Sequence, residues 1–248
     1  MMQEITLAIP FYNTSKYFKQ AVELSLNNNL VKEIVVNDDG SSEEEWNNLK
    51  SIVETLNNDK IKLFRNEVNV GGFRNKYNAV KNSSCEWVYL LDSDNHPAET
   101  TLSTIQSIEN PDEDFCYIPQ KLMVYADDGY YTEVVYNFSY DKVGIDEAQD
   151  ALLKRTKYID WFLNTGNFVF NREKYLERLE EGYQNLDEPV YACSIAFSYH
   201  WMKNGGFYKV VPGMEYHHLV RRDSYWHTCG GNSDLSAKYY HQRIIDLA

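Results

Sequence analysis

The chain has 248 residues, of which 43% are hydrophobic and 15% aromatic, so it can bury the core of one large domain or of two fused halves. Its formal net charge of −13 argues against a nucleic-acid partner, which would need clustered lysine and arginine. No apolar run approaches the roughly 20 residues of a transmembrane helix, and the N-terminus has no signal-peptide pattern.

Strands and helices alternate through the first half of the chain. The patterning predicts strands over 4–9, 33–36, 60–64 and 87–91, separated by amphipathic helices. The second helix has the clearest start signal, because Ser41 and Ser42 each precede a glutamate by three residues, as in a capping box. This alternation predicts an α/β fold with a Rossmann-like, mostly parallel sheet and helices on both faces.

The second half of the chain has a less regular pattern. It predicts a helix over 97–108, a hairpin of strands 115–125 and 130–138, a strand over 167–171, a helix over 189–204 and a strand over 207–211. No linker or repeat separates the two halves. We therefore expect a nucleotide-type half, residues 1–96, fused to a partner-specific half, residues 97–248, in a single domain.

Polar motifs stand where three of the predicted parallel strands end. Pro10-Phe11-Tyr12-Asn13 follows the first strand, Asp38-Asp39-Gly40-Ser41 the second and Asp92-Ser93-Asp94 the fourth. Each alone has a structural explanation as a turn or a helix cap. The carboxyl ends of parallel strands meet at one sheet edge, however, and open α/β sheets bind ligands there. Paired carboxylates at that edge suit a hard divalent cation that holds phosphate oxygens.

The segment Asn69-Val70-Gly71-Gly72-Phe73-Arg74-Asn75 fits the same interpretation. Glycines ahead of a helix let backbone N–H groups approach a phosphate, and the helix N-terminus favours negative charge. Arg74 would lie in the first turn, where a cation opposes the helix dipole, so an anionic ligand explains it better than helix stability does. The segment matches neither GxGxxG nor a P-loop.

Together these motifs resemble family 2 of the glycosyltransferases, which have the GT-A fold. The matching stretches are Ile-Pro-Phe-Tyr-Asn, Val-Asn-Asp-Asp-Gly-Ser, Asn-Val-Gly-Gly-Phe-Arg-Asn and Leu-Leu-Asp-Ser-Asp-Asn, in that order within residues 4–100. The resemblance implies a nucleotide-sugar donor, with UDP as the default, and Mn²⁺ or Mg²⁺ bound by Asp94. The implied donor contacts are Pro10, Phe11, Tyr12, Asn13, Asp38, Asp39, Gly71, Arg74, Asn75, Asp92 and Ser93.

A late histidine-containing stretch extends the resemblance less closely. Tyr216-His217-His218 followed by Arg221-Arg222 resembles the loop that often closes over the donor in this family. The resemblance implies that His218 or His217 is a further metal ligand, and that Arg221 or Arg222 contacts the diphosphate. A solvated loop is the alternative interpretation.

The catalytic base of the family has no direct match. Family members usually carry a Glu-Asp or Asp-Asp pair at the start of the helix before a glycine and a short strand, and counting back from Gly205 that place holds Cys193-Ser194. The nearest carboxylates are Asp187 and Glu188. We predict Asp187 as the base and Glu188 as the second choice, while helix capping explains Asp187 equally well.

The resemblance implies transfer of a monosaccharide, with inversion, from a nucleoside diphosphate sugar to an acceptor hydroxyl on a glycan, a lipid-linked sugar or a protein. A sugar nucleotidyltransferase is one alternative, although no N-terminal glycine-rich loop with a basic residue is present. A non-catalytic nucleotide-sugar or carbohydrate-binding protein is the other, and Cys193-Ser194 favours it. Four cysteines without a CxxC pair predict reduced thiols and a cytoplasmic protein; peripheral contact with a membrane stays open.

Overall fold

A computed structural model describes residues 1–126, 129, 131–185, 187, 190–229 and 231–247. The strands are β1 (Ile5–Phe11), β2 (Val31–Asp38), β3 (Ile61–Arg65), β4 (Trp87–Leu90), β5 (His96–Pro97), β6 (Phe115–Ala126), β7 (Tyr131–Val135), β8 (Phe168–Asn171) and β9 (Phe207–Val220). The helices are α1 (Ser15–Leu26), α2 (Glu43–Leu56), α3 (Gly72–Lys81), α4 (Thr101–Ser107), α5 (Ile145–Leu153), α6 (Ile159–Leu163), α7 (Arg172–Gln184), α8 (Cys193–Lys203), α9 (Tyr225–Thr228) and α10 (Asn232–Asp246).

The first four strands form the predicted parallel unit. The sheet order is β3-β2-β1-β4-β8-β6-β9-β5, and β3, β2, β1 and β4 pair in parallel. Phe11, the last residue of β1, lies opposite Asp38, the last residue of β2. The polar motifs that follow these strands therefore start at the same level of the sheet.

Helices cover both faces of this unit, as predicted. Successive residues of β1 alternate between two hydrophobic clusters, since Leu7 and Ile9 belong to one and Ala8 to the other. The Leu7 cluster is completed by α1, α2 and α4, and the Ala8 cluster by α3, α5, α7, α8 and α10. The period of two in the strands thus separates two cores, one on each side of the sheet.

The second half adds antiparallel neighbours to the sheet. Strand β8 pairs antiparallel with β4 and β6, and β6 forms the predicted hairpin with β7. Two of the hairpin's predicted turn residues, Asp127 and Asp128, lie outside the described residues. Strand β9 runs parallel to β6 as far as Val220, well beyond the predicted end at 211, with Val124 opposite His218. The predicted loop at 216–218 is therefore wrong: the long strand β6 gives these residues a ladder to pair with.

Two predicted helices start later than expected, and five of the described helices were not predicted. His96 and Pro97 pair with β9, which delays α4 to Thr101, and α8 starts at Cys193. Helices α5, α6, α7, α9 and α10 were missed. The buried face of α7 carries Arg178 and Gly182 among its four buried residues, so its apolar stripe is too short to read as a period of 3.6.

The start of α2 supports the rim of the sheet. Ser42 caps the helix by accepting the N–H of Glu45 at 3.2 Å. In a complete capping box the Glu45 side chain would also accept the N–H of Ser42. Here the Glu45 carboxylate accepts the N–H of Ser15 at 2.9 Å instead. The Asn13 N–H also donates to the Ser41 hydroxyl at 2.9 Å. These bonds tie the turns after β1 and β2 to each other.

Glu33 joins the strands at the opposite end of the parallel unit. Its buried carboxylate accepts hydrogen bonds from Thr6 Oγ1 at 2.6 Å, from the Ser84 N–H at 2.5 Å and from Lys62. Burial alone would raise the pKa of Glu33, but these donors outweigh it and lower the pKa to about 2.

Replacing this carboxylate is expected to weaken the fold in a pH-dependent way. Because the folded pKa lies below the usual 4.5, the contribution of Glu33 is complete above that pH and is lost as pH falls toward 2. Glu33→Gln should lower the free energy of unfolding by about 2 kcal/mol at pH 7. Urea titrations should show a smaller loss at pH 3. Glu4→Gln, which breaks an exposed pair with Lys32, is the control. A loss that is equal at both pH values would contradict this account.

Candidate functional site

A cleft of about 1180 Å³ opens at the carboxyl edge of the parallel strands. One wall, the strand wall, consists of the turns after β1, β2 and β4 with the end of β9. The other, the helix wall, consists of residues from α6, the start of α8 and α10. The sequence-predicted residues that line it are Pro10, Phe11, Tyr12, Asn13, Asp39, Gly71, Asn75, Asp92, Ser93, Asp94, His218 and Arg221. The structure therefore brings the three polar motifs together.

Each residue of the triplet after β4 has a defined partner. Asp92 Oδ1 lies 2.8 Å from the Lys76 ammonium, and the Ser93 hydroxyl lies 2.7 Å from that of Thr14. Asp94 Oδ2 accepts a hydrogen bond from Arg221 Nε at 2.9 Å. The two carboxylates are thus held apart by separate cations.

Asp94 and His218 influence each other across the cleft floor. Burial raises the pKa of Asp94, as does the charge of Asp92, while Arg221 and His218 oppose the shift. Burial lowers the pKa of His218, and the charge of Asp94 opposes that shift. His218 Nδ1 is buried and has no hydrogen-bond partner among the described residues. A carboxylate oxygen and a ring nitrogen are therefore both available at the cleft floor.

Lys76 is a functional residue that the sequence analysis missed. Its ammonium is buried, contacts Asp92 and donates to the Ser194 hydroxyl at 3.3 Å. Burial would lower the pKa of Lys76, but the charge of Asp92 outweighs it and raises the pKa above its ordinary value. A signal was present in the sequence, because Lys76 falls on the same helical face as Phe73, Tyr77 and Val80.

Asp39 organises the loop before α3. Its carboxylate accepts the N–H groups of Val70 at 2.9 Å and Gly71 at 3.0 Å, and the Asn66 amide at 2.9 Å. Gly71 has a φ of +86°, which favours glycine. The Gly71 N–H, which the sequence predicted to approach a phosphate, donates here to Asp39 and to the side chain of Asn69. Burial raises the pKa of Asp39 even though these donors oppose it.

Three predicted donor contacts have partners within the protein. Phe11 lines the cleft but is 0% exposed, and its ring packs edge-on against Phe18. Asp38 is buried and pairs with Arg65 Nε at 3.0 Å. The Asn75 amide accepts from Asn37 and donates to the carbonyls of Asn37 and Phe11. Of the predicted aromatic pair, Tyr12 is the exposed one, at 44%.

Four other predicted residues do not line this cleft. Arg74 donates to the carbonyls of Tyr183 at 3.1 Å and Asn185 at 2.8 Å, so its cation meets the C-terminal end of α7 rather than a ligand. His217 lies on the other face of β9 from His218 and stacks on Tyr125, bordering a separate pocket of about 270 Å³ that Asp94 also borders. Arg222 and Asp187 are exposed and are absent from the cleft lining.

Only one of the two predicted base residues, Asp187, is among the described residues. Asp187 does not cap α8, because the residue at the N-cap position is Ala192. Glu188 lies outside the described residues. Cys193 and Ser194 do begin α8 and line the cleft, as counting back from Gly205 predicted. The place that holds carboxylates in the resembled family is therefore occupied by a thiol and a hydroxyl beside Lys76.

The helix wall contains residues that the sequence analysis did not single out. They are Asp160, Trp161, Asn164, Tyr191, Asp234, Lys238 and His241. Trp161 is 37% exposed, and its ring lies edge-on to His218 with centroids 6.0 Å apart. The helix wall therefore presents aromatic and polar side chains to the strand wall.

Two structural features are absent from the described ranges. No group of three or more His, Cys, Asp or Glu side chains there is arranged to hold a metal ion. None of the helices in the same ranges is both long enough and apolar enough to span a membrane. The four cysteines are free thiols.

The backbone of Gly166 packs closely against the Asp92 carboxylate, which makes this contact testable by substitution. A Cβ on Gly166 would lie 2.2 Å from Asp92 Oδ2, whereas a Cβ on Gly72 would lie 3.5 Å from Cys193 Sγ. We expect Gly166→Ala to displace the Asp92 carboxylate and to cost about 1–3 kcal/mol of stability. Gly72→Ala should be tolerated. Equal thermal unfolding of the two variants would contradict this packing.

Both a family model and individual proteins of known activity are similar to this chain. A family model described as glycosyl transferase family 2 matches residues 6–180 of the chain. A GalNAc(5)-diNAcBac-PP-undecaprenol beta-1,3-glucosyltransferase of Campylobacter jejuni is 32% identical over 114 residues, which make up 44% of this chain and 35% of that relative.

Solved structures show the fold. GalNAc-T7, crystallised with UDP, GalNAc and Mn²⁺, has a TM-score of 0.61 at 18% identity. The match spans 89% of this chain and 44% of the GalNAc-T7 chain. S. aureus TarS 1–349 in complex with UDP-GlcNAc has a TM-score of 0.59 at 18% identity. The match spans 91% of this chain and 61% of the TarS chain. The chain spans less than two thirds of each of these three proteins. The fold is that of the GT-A glycosyltransferases, and the chain belongs to glycosyl transferase family 2.

Proposed function

We propose that the chain transfers a monosaccharide from a nucleoside diphosphate sugar, with UDP as the expected nucleotide, to an acceptor hydroxyl. The observation that carries the proposal is the gathering of Asp39, Asp92 and Asp94 with Arg221 in one cleft. Its volume of about 1180 Å³ exceeds that of most single-ligand pockets, roughly 300–1,000 Å³. A donor and an acceptor can occupy it together.

The strand wall is the proposed donor side. The exposed ring of Tyr12 and the carboxylate of Asp39 would contact the base and ribose, and Asp92 and Ser93 would lie near the ribose or the sugar. Arg221 would contact the diphosphate, whose negative charge grows as the sugar leaves. Fixed positive charge at that point stabilises the transition state more than the ground state.

Asp94 and His218 fit the Mn²⁺ or Mg²⁺ ion that the resemblance implies. The buried, unpartnered His218 Nδ1 beside Asp94 is the observation in favour. Fewer than three protein ligands suffice, since Mg²⁺ in phosphate-binding sites is usually held by one or two carboxylates together with substrate phosphates and water. When bound, the ion would neutralise charge on the leaving diphosphate. The Mn²⁺ in the GalNAc-T7 crystal supports this proposal.

The proposed reaction inverts the anomeric centre in a single displacement. The acceptor oxygen attacks the anomeric carbon, the bond from that carbon to the diphosphate oxygen breaks, and the diphosphate keeps the electron pair. Glycan, lipid-linked and protein acceptors all carry the required hydroxyl. The name of the Campylobacter relative includes an undecaprenol-linked acceptor, which supports a lipid-linked acceptor and peripheral contact with a cytoplasmic membrane surface here.

One observation favours a second candidate, a non-catalytic nucleotide-sugar-binding protein. Cys193 and Ser194 occupy the place of the family's carboxylate pair, and Asp187 is outside the cleft lining. The two candidates differ in turnover. Slow release of UDP from a UDP-sugar in the presence of Mn²⁺ would support the transferase, and binding without release would support the second candidate.

A thermal-shift series tests donor binding. UDP, UDP-glucose, UDP-N-acetylglucosamine, ADP and GDP would each be added with and without Mn²⁺. A ligand at 100 times its Kd stabilises the folded state by about 2.7 kcal/mol, which raises the melting temperature by roughly 5–10 °C for a chain of this size. We expect the largest shift with a uridine nucleotide and Mn²⁺ together. No shift with any nucleotide would contradict the proposal.

A further inference from the structure

Each carboxylate of the strand wall has a partner within the protein. Asp39 accepts backbone N–H groups, Asp92 pairs with Lys76, and Asp94 and Asp223 both pair with Arg221. A general base needs a lone pair that is free to take the acceptor's proton. Since Cys193-Ser194 fills the family's base position, the base is to be sought on the helix wall.

One face of α10 supplies part of the helix wall. Asp234, Ala237, Lys238 and His241 line the cleft at spacings of i, i+3, i+4 and i+7. Residues at these spacings lie along a single stripe of a helix. The polar stripe of α10 therefore faces the wall that we assign to the donor.

His241 has the surroundings of a general base. Its Nδ1 lies 3.8 Å from the carboxylate of Asp160, and its Nε2 is buried with no hydrogen-bond partner in the part of the chain that the structure describes. An unpartnered buried nitrogen destabilises the fold unless a ligand supplies its partner. Asp160 is next to Trp161, whose ring contacts His218. The pair therefore adjoins the proposed donor site.

We infer that His241, oriented by Asp160, is the general base that deprotonates the acceptor hydroxyl; this inference rests on the proposed function. The negative charge of Asp160, 3.8 Å from Nδ1, favours the ring form with its proton on Nδ1, and Nε2 takes the acceptor's proton as the acceptor oxygen bonds to the anomeric carbon. The diphosphate leaves with the electron pair of the broken bond. The side chain of His241 is 19% exposed and borders the cleft.

The environment keeps this imidazole ready to accept a proton. Burial lowers the pKa of His241, and the negative charge of Asp160 opposes the shift. The neutral ring is the form that a general base requires at neutral pH. Asp160 acts through His241 and is therefore a positioning residue.

The test measures UDP release from UDP-glucose and from UDP-N-acetylglucosamine, with water as the acceptor and Mn²⁺ present. His241→Gln should lower the release rate by about 100-fold, the contribution typical of a general base, and leave the UDP-dependent thermal shift unchanged. Added imidazole should restore part of the rate of His241→Ala. Asp160→Asn should lower the turnover number rather than raise KM, and Asp160→Glu should recover most of the rate.

Gln242→Ala is the matched control, because Gln242 is exposed on the same helix and donates to Asp246, one turn away, at 2.8 Å. It should release UDP at the wild-type rate. Wild-type turnover in His241→Gln, or a loss confined to Asp234→Asn, would overturn the base assignment alone. A wild-type chain that neither binds nor hydrolyses either donor would overturn the proposed function, and the base assignment with it.

Discussion

Asp92→Asn is expected to lower the free energy of unfolding by about 3 kcal/mol at pH 7, the cost of leaving a buried charge without its partner. The Lys76 ammonium is buried, with the Asp92 carboxylate at 2.8 Å and the Ser194 hydroxyl at 3.3 Å. Asparagine keeps the shape of the side chain and removes the charge. The variant therefore isolates the electrostatic part of this contact.

The pH dependence of the same variant has a defined sign. In the wild type the pKa of Lys76 is raised above its ordinary 10.5, so the pair's stabilisation is complete below that pH and is lost as pH rises further. Without Asp92, burial is the largest influence and lowers the pKa of Lys76, while the contact with Cys193 opposes it. The unfolded chain then binds more protons than the folded one, and stability rises with pH.

Urea titrations at pH 7 and pH 9.5 measure both effects. Asp92→Asn should gain stability at the higher pH. The matched control is the double variant Lys76→Met with Asp92→Asn, which removes both charges and should recover most of the lost stability. A single variant as stable as the wild type, or a double variant no better than the single one, would contradict the assigned pairing.

Asp94→Asn is expected to abolish Mn²⁺-dependent donor binding and to lower UDP release by at least about 100-fold, as removal of one transition-state stabilising group does elsewhere. An amide is a weak ligand for a hard cation, and it cannot neutralise Arg221. Thermal shifts with UDP, each measured with and without Mn²⁺, report binding, and UDP release reports turnover.

Asp223→Asn provides the control for this variant. Asp223 also pairs with Arg221, at 2.9 Å, but its side chain is 66% exposed. We expect that variant to keep its Mn²⁺ dependence, since exposed pairs contribute little. If Asp94→Asn still needs Mn²⁺ to bind UDP, the ion is held by other residues.

The parallel half of the fold could be predicted because each of its elements carries a local signal. The buried stripe of α1, the cap at Ser42 and the apolar run of β4 all agree with one architecture. Convergence of the polar motifs followed from topology alone, since parallel strands end at one edge. The register of Phe11 opposite Asp38 shows this in the structure.

The second half could not be predicted as well because its signals depend on tertiary partners. Helix α10 buries Ser233, Ser236 and Ala237 as well as Tyr240 and Ile244, so small residues interrupt its apolar stripe. Close packing against α8, where the Ser236 hydroxyl accepts the Ala192 N–H at 3.1 Å, explains why small side chains lie there. A sequence pattern does not reveal such a neighbour.

Individual site roles were the hardest to predict, since adjacent residues in a motif point in different directions. Asp38 faces Arg65 and Asp39 faces the cleft, although both belong to one turn. Arg74 reaches the end of α7, whereas Lys76, two residues later, reaches Asp92. The buried stripe of α3 could have singled out Lys76, but no local pattern identifies its partner.

Anomalous diffraction from a crystal grown with UDP and Mn²⁺ tests the central claim most directly. We expect a manganese peak within bonding distance of Asp94 and His218, with diphosphate oxygens completing its shell and the uracil near Tyr12 and Asp39. A manganese peak elsewhere on the molecule, or UDP bound outside this cleft, would contradict the account.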